Sequence, residues 1–287
     1  MSYSQLYREA IRTLSAWGVT NAANEAAWIL EQTVGLTRLM IHASPDRCVP
    51  DDDQRRALGC IKRRASGEPL QYILGTQEFW GMEFVVSSHV LIPRPESELL
   101  VKAVMSRLES FSSPVIVDVG TGSGCLAIAL SVERPDAMIV AMDRSVHALR
   151  VAVGNAKSHG QYDRVKFCVG DLVSPLSSAS FLGKVTAIVA NLPYVPEREL
   201  ASLSRDVRDF EPTLALDGGA DGLAVYRRLL PEAEGILQPH GHVIVEVGRG
   251  QADSLCDEVC RGGSFRVHEI IHDSLGIQRV VCLERTG

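Results

Sequence analysis

Val115-Ile116-Val117-Asp118-Val119 is an apolar run of strand length that passes straight into Gly120-Thr121-Gly122-Ser123-Gly124, and an apolar segment of helical length follows from Cys125. A short run apolar on both sides suits a strand covered on both faces, as in a parallel sheet. Glycines between strand and helix let the backbone turn tightly and bring a ligand close to the helix N-terminus. No Gly-Lys-Ser/Thr follows, so the loop does not read as a P-loop. Its third glycine comes one residue earlier than in G-x-G-x-x-G, which leaves less provision for a pyrophosphate. The pattern fits a nucleoside cofactor without phosphates.

Downstream the chain alternates between strand and helix. Strands are expected over residues 138–142, 165–169, 185–190 and 242–247, with helices over 125–132 and 148–158. The segments 265–271 and 279–283 are joined by a short link containing Gly276, too short for a crossover helix, so the last strand must run antiparallel. The expectation is an α/β, Rossmann-like, mostly parallel seven-stranded sheet.

The first stretch reads as helices. Leu6, Ala10, Ile11, Leu14 and Trp17 recur at helical spacing before Gly18, and Ala23, Ala26, Ala27, Leu30 and Val34 before Gly35, with Thr20 and Asn21 as cap candidates. A third helix starts near Asp51-Asp52-Asp53 and ends near Arg63-Arg64, each charge suiting its end of the helix dipole. Phe84-Val85-Val86 and Val90-Leu91-Ile92 flank Ser87-Ser88-His89 as a β-hairpin would, and Pro93 and Pro95 precede a helix over 97–108. The 287 residues therefore divide into a small helical domain over 1–75, a linker with a β-hairpin over 76–95, and a domain over 96–287 that carries the glycine loop.

A net charge of −6 argues against a protein held on nucleic acid mainly by phosphate contacts. Arg55, Arg56, Lys62, Arg63 and Arg64 form the dense basic group, and they also read as a solvated helix end. A polar start and the lack of any run of about 18 apolar residues point to a cytoplasmic chain without membrane span or secretory signal. The seven scattered cysteines read as reduced thiols. His240 with His242, and His268 with His272, do not have the placement of a metal site, and no metal is expected.

Asp143 ends a strand 23 positions after Gly120, where its carboxylate is placed to accept from both ribose hydroxyls. Asp171 is placed to receive an adenine amino group, with Leu172 against the ring; a turn aspartate beside Gly170 is the plainer reading. The fourth strand delivers Asn191-Leu192-Pro193-Tyr194 to the crevice at the carboxyl ends of the strands. A planar amide or aromatic amine is a poor nucleophile, because its lone pair is delocalised. The Asn191 side-chain carbonyl and the Leu192 backbone carbonyl are placed to hold both N–H bonds and aim the nitrogen at a methyl donor, with the Tyr194 ring on the planar group.

Further blocks carry a resemblance. Gly67-Glu68-Pro69-Leu70-Gln71-Tyr72-Ile73-Leu74-Gly75, Glu78-Phe79-Trp80-Gly81 and Leu91-Ile92-Pro93-Arg94-Pro95-Glu96-Ser97-Glu98 resemble the linker of the release factor glutamine methyltransferases. Val117-Asp118-Val119-Gly120-Thr121-Gly122-Ser123-Gly124 resembles the S-adenosylmethionine loop of that family, and Phe210-Glu211-Pro212, Ala215-Leu216-Asp217-Gly218-Gly219-Ala220-Asp221-Gly222-Leu223 and Glu246-Val247-Gly248 resemble further family blocks. The resemblance implies a class I methyltransferase fold and S-adenosyl-L-methionine as cofactor. It also implies transfer to the glutamine amide nitrogen in the Gly-Gly-Gln motif of class I peptide chain release factors. By position it assigns Gly120, Thr121, Gly122, Ser123, Gly124, Asp143, Leu172 and Asn191 to the cofactor, and Asn191, Leu192, Pro193 and Tyr194 to the substrate glutamine; the helical domain would dock the protein substrate. Leu192 stands where the family usually has proline, and Ser97 where it has threonine. Three alternatives stay open at this level: a nucleic-acid amino methyltransferase, a ribosomal-protein glutamine methyltransferase, and an inactive cofactor-binding module.

Overall fold

Leu6, Ala10 and Leu14 fall on one buried face of a helix over Tyr3–Ala16, whose first turn is closed by a capping box between Ser2 and Gln5. The computed structural model describes residues 1–177 and 181–287. The following helices span Ala22–Val34, Arg38–Ala43, Asp51–Ala65 and Leu70–Leu74. Asp51, Asp52 and Asp53 occupy the first turn of the fourth, and Lys62, Arg63 and Arg64 its last. Ala10, Leu14, Ala26, Ile29, Ile61 and Ile73 share one core. One compact unit comprises Met1–Thr76 together with Ser204–Phe210, a return that the sequence did not announce. Within this unit the Arg205 side chain lies beside Gly67.

The second unit comprises Gln77–Leu203 and Glu211–Gly287. The hairpin belongs one strand earlier than expected: β1 is Thr76–Phe79 and β2 is Met82–Val85. Trp80 and Gly81 both have positive φ, 55° and 68°, which matches the twist of a two-residue turn. The segment expected as its second strand, 90–92, is not a strand; Val90 and Ile92 are apolar because they are buried. Nor is the hairpin a free connector. Phe79 and Phe84 are buried in the core of the second unit with Leu100, Val104 and Ile128.

The sheet of this unit contains β3 (Val115–Val119), β4 (Met138–Asp143), β5 (Val165–Val169), β6 (Val185–Ala190), β7 (Leu237–Glu246), β8 (Phe265–His272) and β9 (Gln278–Arg285), in the order β5-β4-β3-β6-β7-β9-β8. β9 is antiparallel to both β7 and β8, and β3 to β7 are mutually parallel, as expected. β7 starts earlier than predicted, because an irregularity between Leu237 and His242 takes up Pro239 and Gly241. Val117 and Val119 face a core with Tyr226, Leu229 and Leu255, whereas Ile116 faces the other core with Val101, Ile128 and Ala156. The alternation explains why β3 reads as continuously apolar: helices 98–107, 125–133 and 146–158 cover one face, and helices 224–236 and 252–262 the other.

Candidate active site

The strand order reverses between β3 and β6, whose register pairs Val119 with Ala190. Gly120 and Asn191 therefore leave adjacent strands side by side, at the topological switch point where open α/β sheets bind ligands. A cavity of about 440 Å³ opens there. It is within the size range of small-molecule sites. Gly120, Thr121, Gly122, Ser123, Asp143, Asp171, Leu172, Asn191, Leu192 and Pro193 all line it.

Two predicted residues lie outside this lining. Gly124 faces helix 146–158, where an added Cβ would stand 3.0 Å from the Ala152 Cβ; its role is helix packing. Tyr194 directs its hydroxyl to Glu246 and lays its ring edge beside Gly248, so the structure does not bring the ring over the cavity.

Asp143 accepts from the Gly122 N–H at 2.9 Å and from the Ser145 N–H at 2.8 Å, one bond to each oxygen. A carboxylate has about four acceptor positions, so capacity remains for a vicinal diol. Burial raises its pKa above the ordinary aspartate value, and these backbone bonds oppose that rise. Asp171 is ion-paired through one carboxylate oxygen with Arg228, a cavity-lining residue that sequence reasoning missed. Leu172 is buried with φ 51°, a left-handed conformation uncommon for leucine. The arrangement fits a phosphate-free nucleoside: a diol acceptor, apolar walls at Leu126 and Leu172, and a glycine backbone at close range.

The glycine loop is held by a residue beneath it. Asp118 is fully buried and accepts from Thr121 Oγ1 at 2.6 Å and from the Ala127 N–H at 3.1 Å, while its Oδ1 has no partner among the described residues. Desolvation raises its pKa to about 7. An acid inside an otherwise apolar strand was the available sequence signal. Asn155 adds a second tie, donating to Ser123 O and Val85 O and accepting from the Val85 N–H.

The tetrad is held in turn by residues distant in sequence. Asn191 Nδ2 donates to Ser97 Oγ at 2.9 Å, and Ser97 Oγ donates to Glu246 Oε2 at 2.6 Å. Tyr194 donates to Glu246 Oε1 at 3.3 Å. Tyr226 donates to the backbone oxygen of Glu246 and, at 3.3 Å, to Leu192 O. Gln251 bridges the Gly248 N–H and Tyr194 O, 2.8 Å from each. The block at 215–223 is glycine-rich because it passes directly over this turn: a Cβ on Gly222 would fall 2.2 Å from Tyr194 O. Opposite, Glu211 accepts from Arg94 and from the Ile92 N–H, fastening the Pro-Arg-Pro-Glu segment to the cavity edge.

Comparisons with known proteins agree with this geometry. A family model for a methyltransferase domain matches residues 110–273, and one for the PrmC N-terminal domain matches residues 5–75. The catalytic domain of hMettl16, solved in complex with a 3′UTR hairpin, has a TM-score of 0.55 at 15% identity over 82% of each chain, and so shares the fold. The protein is a class I methyltransferase that uses S-adenosyl-L-methionine. The release factor glutamine methyltransferase of Geobacter sulfurreducens is 40% identical over 93% of this chain and 91% of its own, and that of Moorella thermoacetica 41% identical over 97% of both. This chain belongs to the release factor glutamine methyltransferase family.

Proposed function

We propose that this enzyme methylates the side-chain nitrogen of the glutamine in the Gly-Gly-Gln motif of class I peptide chain release factors. The observation that carries the reading is the hydrogen bond from Asn191 Nδ2 to Ser97. With its NH₂ end committed there, Asn191 presents Oδ1 as an acceptor for a substrate N–H, and the Leu192 carbonyl offers a second. S-adenosylmethionine supplies a methyl group on a positively charged sulfur. The two oxygens of this chain hold the carboxamide so that the nitrogen lone pair forms the new bond as the carbon–sulfur bond breaks, its electron pair staying on sulfur. The amide proton is lost only after the nitrogen has gained the methyl group, to solvent as the product leaves the site. No strong base is needed, and positioning with exclusion of water carries the rate enhancement.

A protein substrate is favoured over a nucleic acid by the charges of the helical unit. Arg55, Arg56, Arg63 and Arg64 are paired with Asp52, Asp53, Glu68 and Glu25, so these cations are already neutralised. The same unit exposes Trp17, Trp28 and Leu39, apolar side chains suited to docking the rest of a protein substrate. Among the described residues no helix is long and apolar enough to cross a membrane, and we place the reaction in the cytoplasm. Tandem mass spectrometry of a class I release factor after incubation with enzyme and S-adenosylmethionine tests the reading. One added methyl on the Gly-Gly-Gln glutamine is expected; an unmodified factor, or a methyl elsewhere, contradicts it.

A further inference from the structure

Glu246 ends the innermost stretch of β7 at 1% exposure, yet it reaches no ligand-lining position. Its carboxylate is reached from two sides by groups of the tetrad, through Ser97 to Asn191 and directly to Tyr194. An asparagine amide has two ends of similar shape and opposite hydrogen-bonding character, so a site that needs its oxygen must prevent a flip. Ser97 alone does not prevent it, because a hydroxyl both donates and accepts. An ionised carboxylate only accepts. Bonded to Glu246, Ser97 must point its proton toward Oε2, which leaves only its lone pairs for Asn191.

We propose that Glu246 is a positioning residue for methyl transfer: through Ser97 it fixes which end of the Asn191 amide faces the substrate. The inference rests on the proposed amide-nitrogen chemistry and deepens it. The chain of donors runs one way, from Asn191 NH₂ to Ser97 OH to the carboxylate, and its polarity is set at the buried end. If Glu246 takes up a proton, its own OH competes to donate to Ser97 Oγ. Ser97 can then donate to Asn191, which accepts by turning its oxygen away from the cavity.

The surroundings put that protonation within reach of neutral pH. Burial raises Glu246 to about 7, opposed by the donors Ser97 and Tyr194 and by Arg279 of β9, and assisted by Glu96. Tyr226, packed on the same strand, donates to the backbone oxygen and leaves the carboxylate to the other two donors. Arg279 is itself held by Asp273, which keeps this cation from closing on Glu246 as a full partner.

Two readouts test the proposal. The first is kinetic. Ser97→Ala, which cuts the link, is expected to lower kcat by at least about tenfold while changing cofactor affinity less than about twofold, and Ser97→Thr, which keeps the hydroxyl, to stay within about threefold of wild type. Wild-type kcat should fall on the acid side with an apparent pKa near that of Glu246, and Glu246→Gln should flatten this limb. The second needs no substrate: the side-chain amide resonance of Asn191 should titrate with pH in the wild type and lose that titration in Ser97→Ala. Equal kcat in Ser97→Ala and wild type, a parallel loss of cofactor affinity, or an Asn191 resonance that ignores Glu246 overturns the proposal. A wild type that leaves glutamine unmodified while the resonance titrates as expected would instead overturn the reaction assigned above. The Ser97 pair decides the matter even if Glu246→Gln does not fold.

Discussion

Gly120 and Leu192 are in contact across the switch point: a Cβ added to Gly120, whose φ is 75°, would stand 3.0 Å from Leu192 Cδ2. The glycine loop and the Asn191–Tyr194 turn are thus packed as one piece. Leu192, 5% exposed and part of the core with Val119, Ala190 and Leu223, fills the space where relatives are expected to carry a proline ring.

That packing predicts a tolerant site. The Leu192 N–H has no hydrogen-bond partner among the described residues, so a proline there removes no bond. Leu192→Pro loses part of a buried side chain, about 1 kcal/mol, and gains a similar amount by restricting the unfolded chain. Stability should change by no more than about 1 kcal/mol and kcat by no more than about threefold, measured by chemical denaturation and steady-state assay. A kcat more than tenfold lower would show that the leucine side chain itself shapes the turn.

Asn191→Asp keeps an acceptor and brings a charge into a half-buried position beside Ser97. The carboxylate cannot donate to Ser97 as the amide does, so the donor chain to Glu246 is broken at its first link. Turnover should drop about a hundredfold or more, with cofactor affinity changed by less than about fivefold, as read from calorimetry beside single-turnover rates. Losses of equal size in both would remove Asn191 from the reacting centre.

Stability should depend on pH through Asp118 and Glu246, both raised by burial to about 7. Each binds a proton in the folded state at pH values where the unfolded chain has already released it. Their contribution is fully present below the ordinary carboxylate range and is lost as pH rises through about 7. The unfolding free energy should therefore fall by a few kcal/mol between about pH 5 and pH 8, on the order of one to three for each group. Asp118→Asn keeps acceptors for Thr121 and Ala127 and should flatten much of that slope; a variant with an unchanged slope would show that Asp118 does not titrate there.

Much of the site was legible because its parts lie in short segments with strong local chemistry. The strand entering Gly120-Thr121-Gly122, Asp143 at the end of the next strand and Asn191 after the fourth were all visible in the sequence, and the structure brings them to one cavity. What escaped was long-range. Ser97 meets Glu246 across 149 positions and Ile92 meets Glu211 across 119, and periodicity carries no record of such pairs. Arg228 and Gln251 sit on or beside helices that the sequence pattern left unassigned. The misplaced hairpin has the same origin: Val86, Val90 and Ile92 are apolar because they are buried outside any strand, whereas the true turn at Trp80-Gly81 carried a single glycine as its local sign. Tyr194 was assigned from its place in the tetrad, but its hydroxyl is turned to a buried carboxylate that only the fold brings near.

The most direct measurement of the central claim is a crystal structure of the enzyme with a Gly-Gly-Gln-containing release factor and the demethylated cofactor. The account predicts the glutamine side-chain nitrogen within about 3 Å of both Asn191 Oδ1 and the Leu192 carbonyl oxygen, with Asn191 Nδ2 still on Ser97. A glutamine seated away from these two oxygens, or held by the NH₂ end of Asn191, would contradict it.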